Sequence, residues 1–512
     1  MVMRIGGLAT GIDTDSMVKQ LMQAHRMPLN KLTQKKQTFE WQREAYRELN
    51  SKLTTFRNNA IFNMKLESTL APKKATIVGG SKGIEATASP NAGAGTLVVE
   101  VLAIASAASN NSSAAIGKNG FEPGKLLIEQ SDLGKLAGGN LEGSKYKFKI
   151  NGKEVEVDPL TDTMNSVLTK INRETNVSAF YDSVTGKVSF MSKDTGSVNN
   201  SADGLNITFE DLDGGNFLSD FLQVSDGSAE EMTAKDASVR INGLLTERKS
   251  NSFTVNGIQI MMKEAKPGES ITINVSGDID KTVENIKSFI DSYNEMLSYL
   301  QDLGSAPKYR DFTPLTAEQK TDMSEKDIER WEEKAKSGVL RNDMIISGAV
   351  SAMRSAIMAI VDTGSTKYKT LSSIGIETGS YAENGKLYLG DENKLRKALE
   401  EEPNAVMKLF TATDDADETR SRVGIASRIH DDLKGSLDQI STKAGRFLTL
   451  SDESILSKQL LRVSDDIKSM DRRLTQLESN YYRKFTAMEQ AINRLNSQSS
   501  YLANAFGGGQ PQ

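Results

Sequence analysis

The sequence predicts an α+β multidomain protein: a discontinuous helical coiled-coil stalk formed by the N- and C-terminal segments, with β-rich head domains inserted between them. Two observations carry this. The texture of the 512-residue chain changes twice: it is rich in Lys, Arg, Gln, Glu and Leu at about 15–62, turns to Gly, Asn, Ser, Thr and Val in short alternating runs at about 75–277, and reverts from about 280. Both helical ends also carry apolar seams. Leu456, Leu460, Val463, Ile467, Met470, Leu474, Leu477 and Tyr481 recur at spacings of four and three; Phe485 follows after four, and Met488, Ile492, Leu495, Ser499 and Leu502 resume the rhythm. This is a heptad seam with one four-residue stutter, which relaxes a left-handed supercoil locally. The N-terminal seam, through Leu32, Phe39, Tyr46, Leu49, Leu53 and Phe56, is looser. At 1.5 Å per residue the C-terminal seam spans over about 60 Å, a length suited to an elongated assembly.

The elements follow in chain order. "DTDSM" (13–17) reads as a helix start, with Asp13 or Asp15 as N-cap before the apolar pattern Val18, Leu21, Met22. Pro28 interrupts that helix at "MPL". Residues 17–57 hold nine Lys/Arg against three Glu, but Glu40–Arg43, Glu44–Arg47 and Glu48–Lys52 are helix-spaced ion pairs without an aromatic platform. The pattern describes a solvated helix face, not a nucleic-acid surface. Strands are predicted in "TLVVEVLAI" (96–104), "YKFKINGKEVEVD" (146–158), "GKVSFMS" (186–192) and "SITINVS" (270–276), with hairpin turns at Asn151-Gly152 and Asn256-Gly257. "INGKEV", "INGLLT" and "VNGIQI" share the turn, and the first opens a βαββ-like unit. "DLDGGN" (211–216) has two of the aspartates of a calcium loop but no Glu at the twelfth place, so it reads as a polar turn. In 344–361, Ile346, Val350, Met353, Ile357 and Ile360 mark a packed helix, and Asn384-Gly385 a hairpin.

The expected division is a terminal helical segment 1–40 paired with a C-terminal coiled-coil helix 455–512, and a helical leg domain 41–77 plus 278–454. A β-rich head domain, 78–105 plus 235–277, then encloses a nested outer head domain, 106–234. "TLVVEVLAI" has no nearby partner strand, which motivates the nesting.

Composition narrows the function. Apolar residues make up 38% of the chain, enough for sizeable cores, and a net charge of −5 gives no pull toward nucleic acid or anionic membrane. The absence of cysteine excludes disulfides, thiolate metal sites and cysteine nucleophiles. No apolar run is long enough for membrane insertion, and no cleavable leader is expected at the start. His25 and His430 stand far apart in helical contexts, and neither a G-x-S-x-G elbow nor a phosphate loop occurs. No catalytic, metal-binding or cofactor-binding residue is therefore nominated; the reading is of a protein that is not an enzyme and takes no cofactor.

"GGLATGIDTDSMVKQLM" (6–22), followed by "MPLNKLTQKKQTFEWQREAYRELN", resembles the N-terminal region of the flagellar filament-capping family, hook-associated protein 2. "LNSQSSYLANAF" (495–506) is similar to that family's C-terminal pattern, and the unit from "INGKEV" to "VNNSADGLNITF" to a small repeat of axial flagellar proteins. The resemblance implies an extracellular structural cap at the distal tip of the bacterial flagellum, exported by the flagellar type III route. It implies a ring of about five subunits. Flagellin would be held beneath that ring while it folds and inserts, and the other partners would be hook–filament junction proteins and an export chaperone. On this resemblance Ile12, Val18, Leu21 and Met22 form an apolar face that docks on assembly. The alternative is a secreted tip adhesin or translocator binding host or surface ligands through its β-rich head, which an exposed carbohydrate groove in 75–277 would favour. A wall hydrolase would instead need two carboxylates facing across a cleft.

Overall fold

The computed structural model describes residues 13–79, 83–116, 121–130, 145–197, 207–380, 383–413, 420–446 and 452–507. The chain divides into two compact units: residues 1–70 together with 279–512, and residues 71–278.

The first unit is built on the long helices α1 (Thr14–Phe56), α2 (Ile279–Ser305), α3 (Met344–Ile357), α4 (Ile425–Ala444) and α5 (Ile455–Gly507). Asp13 starts α1, its carboxylate accepting the Ser16 N–H at 2.9 Å. Contrary to the expected interruption, α1 runs straight through Pro28. The carbonyl that loses its donor there belongs to Ala24, which is exposed, so the missing bond leaves no buried residue orphaned. After Phe56 the helix widens into a π turn, Arg57–Ile61. Of the three ion pairs expected along α1 only Glu48–Lys52 closes, at 3.6 Å. Glu40 pairs with Lys36 instead, and Arg47 turns to Asp452.

One core holds this unit together. Tyr46, Leu49 and Leu53 of α1 bury against Phe289, Tyr293 and Leu297 of α2, Met353 of α3, and Ile429, Leu433 and Ile440 of α4. Ile360, expected in the apolar series of α3, is 68% exposed, because the helix ends at Ile357 and the periodicity no longer fixes its direction. A small hairpin, Ile376–Thr378 with Leu387–Leu389, lies on α2, where the Asn294 amide bonds both backbone groups of Leu387 at 2.7 Å. Gly375 makes that hairpin possible: its φ is +85° and a Cβ there would lie 2.3 Å from the Asp391 carbonyl oxygen. Gly375→Ala is expected to cost about 2–4 kcal/mol in urea melts. Gly364→Ala, at φ +83° in open space, should cost only about 1–2 kcal/mol.

The second unit has two cores. Around the first, an antiparallel sheet runs in the order Lys73–Val78, Ser270–Gly277, Gly95–Ala103, Ala237–Ile241, Leu244–Arg248. Facing it is a sheet of Ser252–Val255, Ile258–Met262 and Ile84–Ala88. Gly95–Ala103 thus pairs with strands far downstream. The second core gathers residues 108–224: Phe148, Ile150, Phe190 and Phe217 pack with Val167 and Ile171 of the helix Met164–Glu174. Its sheets are Ala107–Asn111, Lys187–Thr195, Val177–Asp182 and Lys153–Val157, Tyr146–Ile150, Phe209–Asp211. The Asn-Gly turns are type I′, with φ +51°/+74° at Asn151-Gly152, +47°/+84° at Asn242-Gly243 and +49°/+75° at Asn256-Gly257. "DLDGGN" is a polar turn in which the Asp211 carboxylate accepts the Leu218 and Ser219 N–H groups.

Candidate assembly surface

The candidate surface is the pairing of α1 with α5. Their contacts run in opposite order, with Arg47 on Asp452, just ahead of α5, at 2.7 Å, Arg26 near Glu478 at 3.8 Å, and His25 Nε2 at 3.2 Å from the Tyr481 hydroxyl. Between them Val18, Met22 and Leu474 are buried, with Leu29, Met470, Leu477, Tyr481, Tyr482 and Phe485 packed around. At its start α5 is anchored more deeply: Leu456 belongs to the main core, and Leu460 and Val463 are buried. Ile467 is half-buried.

Beyond Phe485 the cover ends among the described residues. Met488 is 39% exposed, Leu495 63% and Leu502 52%, with only Ile492 half-buried between them. The seam is therefore one stripe in two states, closed against α1 over its first two thirds and open over the last. Of the N-terminal set, Val18 and Met22 join the closed part. Leu21 does not: it is 42% exposed, because the stripe defined by Val18, Met22 and Leu29 leaves it on the flank. Ile12 lies outside the described residues.

Two features had no local signal in the sequence. One is a polar lock at the root of α5. The Asp343 carboxylate caps α3 through the Ile345 and Ile346 N–H groups, accepts the Tyr46 hydroxyl, and pairs with Lys443 at 3.0 Å. Burial opposes the Asp343 charge, but the bonds from Tyr46 and Lys443 outweigh it and hold its pKa below the usual carboxylate range. Burial and the same anion push the Tyr46 hydroxyl far up. Beside this, Arg47 also donates to the Ala444 carbonyl, and Asp452 accepts Ser457 Oγ at 2.6 Å and the Ser454 N–H at 3.0 Å. These bonds overcome burial and lower the Asp452 pKa. The other feature is the excursion between α2 and α3, which props α1: Glu318 takes Arg26 at 3.2 Å, Thr313 takes Gln34 at 3.2 Å, and Lys336 sits over Trp41. Trp331 fixes the excursion, donating to the Thr313 carbonyl and packing on Phe312.

Such an arrangement pairs helices. Among the described residues no group of three or more His, Asp or Glu is placed to hold a metal ion, and no helix is long and apolar enough to cross a membrane.

Residues 10–108 match the family described as flagellar hook-associated protein 2 N-terminus, and residues 234–497 its C-terminus. A flagellar hook-associated protein 2 of Halalkalibacterium halodurans is 35% identical across 98% of this chain and 100% of its own length. The chain belongs to the flagellar hook-associated protein 2 family. The hook-associated protein 2 of Thermotoga maritima is 26% identical over 99% of this chain and 96% of its own. A solved structure, the D1-D2-D3 domains of the flagellar cap protein FliD from Escherichia coli, covers 82% of this chain and 99% of its own at 20% identity and a TM-score of 0.48. The two hook-associated protein 2 matches leave 109–233 between them, the stretch that holds nearly all of the second core of the β-rich unit. Val18, Leu21 and Met22 fall in the N-terminal match, and the seam from Leu456 to Leu495 in the C-terminal one.

Proposed function

We infer that this chain is the structural cap at the distal tip of the bacterial flagellar filament, holding exported flagellin and promoting its folding and insertion at the growing end. The observation that carries the reading is 35% identity to a hook-associated protein 2 along both full lengths. The cap works by binding, without covalent chemistry or cofactor. On this reading it leaves the cell by the flagellar type III route with an export chaperone, adjoins hook–filament junction proteins, and assembles as a ring of about five copies. The open stripe of α5 at Met488, Ile492, Leu495 and Leu502 is assigned to contacts made on assembly, and the closed part, with Val18 and Met22, to the subunit itself. The comparisons lend no support to a tip adhesin or translocator.

Deletion of the gene tests the function. The expected result is flagellin monomer in the culture medium and cells without full-length filaments, both reversed by the intact gene. A deletion strain with ordinary filaments would overturn it.

A further inference from the structure

Asn-Gly pairs are chemically labile, because the glycine N–H is unhindered and sits one five-membered ring away from the asparagine amide carbon. Four such pairs fall among the described residues; Asn119-Gly120 lies outside them. The fold treats the four differently.

In two turns the side-chain amide is held by hydrogen bonds, and in a third it is crowded. Asn151 accepts the Thr208 N–H at 2.8 Å and donates to Asn176 at 3.0 Å. Asn242 accepts the Val98 N–H at 2.9 Å. The Asn256 amide makes no such bond but lies against Gly93, and its turn is shut by packing. A Cβ on Gly257 would lie 2.9 Å from Ala92 Cα, and the Gly257 carbonyl takes the Ser89 N–H at 2.8 Å. Asn384 is the exception. It is exposed, its side-chain amide has no hydrogen bond, and it sits at φ +54° in a loop whose bonds bypass that amide: Gly379 N–H donates to the Lys386 carbonyl, Lys386 N–H to the Glu383 carbonyl at 3.3 Å, and Gln301 to the Asn384 carbonyl. A cation also lies beside the attacking atom's residue: a Cβ on Gly385 would be 3.1 Å from Arg354 Nε. A positive charge there favours the amide anion that must form before attack.

We propose that Asn384-Gly385 is a site of spontaneous backbone modification, converted to isoaspartate and aspartate as the protein ages. The Gly385 nitrogen, deprotonated by hydroxide, attacks Cγ of Asn384. The N–Cγ bond forms as the Cγ–Nδ2 bond breaks, and ammonia leaves with a proton from water. Water then opens the succinimide at either carbonyl. The net change is uptake of one water and loss of one ammonia. The product puts a carboxylate next to Glu383, and in the isoaspartyl form it lengthens the backbone at the carbonyl that Gln301 of α2 now holds at 3.0 Å. The modification therefore acts on the seating of the hairpin on α2.

The intact chain is incubated in mildly alkaline buffer and followed by peptide mapping, reading one mass unit of gain and isoaspartate by enzymatic methylation. Residue 384 is expected to react first, roughly tenfold or more ahead of residues 151 and 242, whose held amides must first break a hydrogen bond. In denaturant the four sites should react alike. Arg354→Ala should slow residue 384 in the folded chain and Arg354→Lys should not; Arg354 is exposed, so both variants fold. Equal rates at all four sites in the folded chain, no product at 384, or an unchanged rate in Arg354→Ala would overturn the proposal.

Discussion

Replacing Leu495 and Leu502 with aspartate is expected to abolish assembly and swimming while leaving the isolated chain as stable as before. Both side chains are more than half exposed, at 63% and 52%, so the subunit loses almost nothing, within about 0.5 kcal/mol each. In an assembled seam each leucine contributes roughly 1.5–3 kcal/mol, and a carboxylate in its place adds a desolvation cost. Two such sites lower the association constant by about a thousandfold or more. Leu474→Asp is the contrasting variant: Leu474 is 7% exposed against Val18 and Met22, so the charge opens the subunit's own helix pair and lowers the melting temperature. Sedimentation velocity, thermal melts and swarm assays separate the two. A Leu495/Leu502 double variant that assembles and swims like the parent would remove the open stripe from the interface.

Asp343→Ala is expected to be the most damaging single change in the helical unit. It strips the cap from α3, leaves Lys443 without its anion, and leaves the hydroxyl of the buried Tyr46 unpaired, for a loss of about 3–5 kcal/mol. The pH dependence follows from the same bonds. The Asp343 and Asp452 pKa values are lowered on folding, so their contribution is complete above the unfolded Asp value of about 3.9 and is lost as pH falls through the folded values. Melting temperature should therefore drop as pH falls below about 4, and less steeply in an Asp343→Asn, Asp452→Asn double variant. An equal acid slope in that variant would place the acid sensitivity elsewhere.

What was legible in the sequence was what repeats locally. The period of the seam marked α5, the Asp13 cap marked the start of α1, and each Asn-Gly turn marked its hairpin, because these depend on residues within one or two turns of chain. Charge partners were read poorly for the opposite reason. Arg47 has Glu44 three residues before it, yet it bonds Asp452, 405 positions away, where a half-buried site rewards the pair more than a solvated helix face does. Tyr46, Asp343 and Lys443 come from three separate helical segments, and no spacing links them. The seam's period also says nothing about where cover ends: Leu474 and Leu495 sit on the same repeat, and only the position of α1 makes one buried and the other exposed.

The split of the helical unit across residues 1–70 and 279–512 sets an order of events in time. The β-rich unit is one continuous stretch, so it has all of its own strands as soon as residue 278 is available. The helical unit cannot close then, because its bonds join residues 297, 405 and 456 positions apart. Closing loops of that length is slow, and the two longest wait on residues 452–481. Until α5 arrives, Val18 and Met22 lack Leu474, the buried side chain that completes their small apolar core. The protein's two units are thus clocked by opposite logics: one matures from within, while the other is unfinished until α5 is in hand.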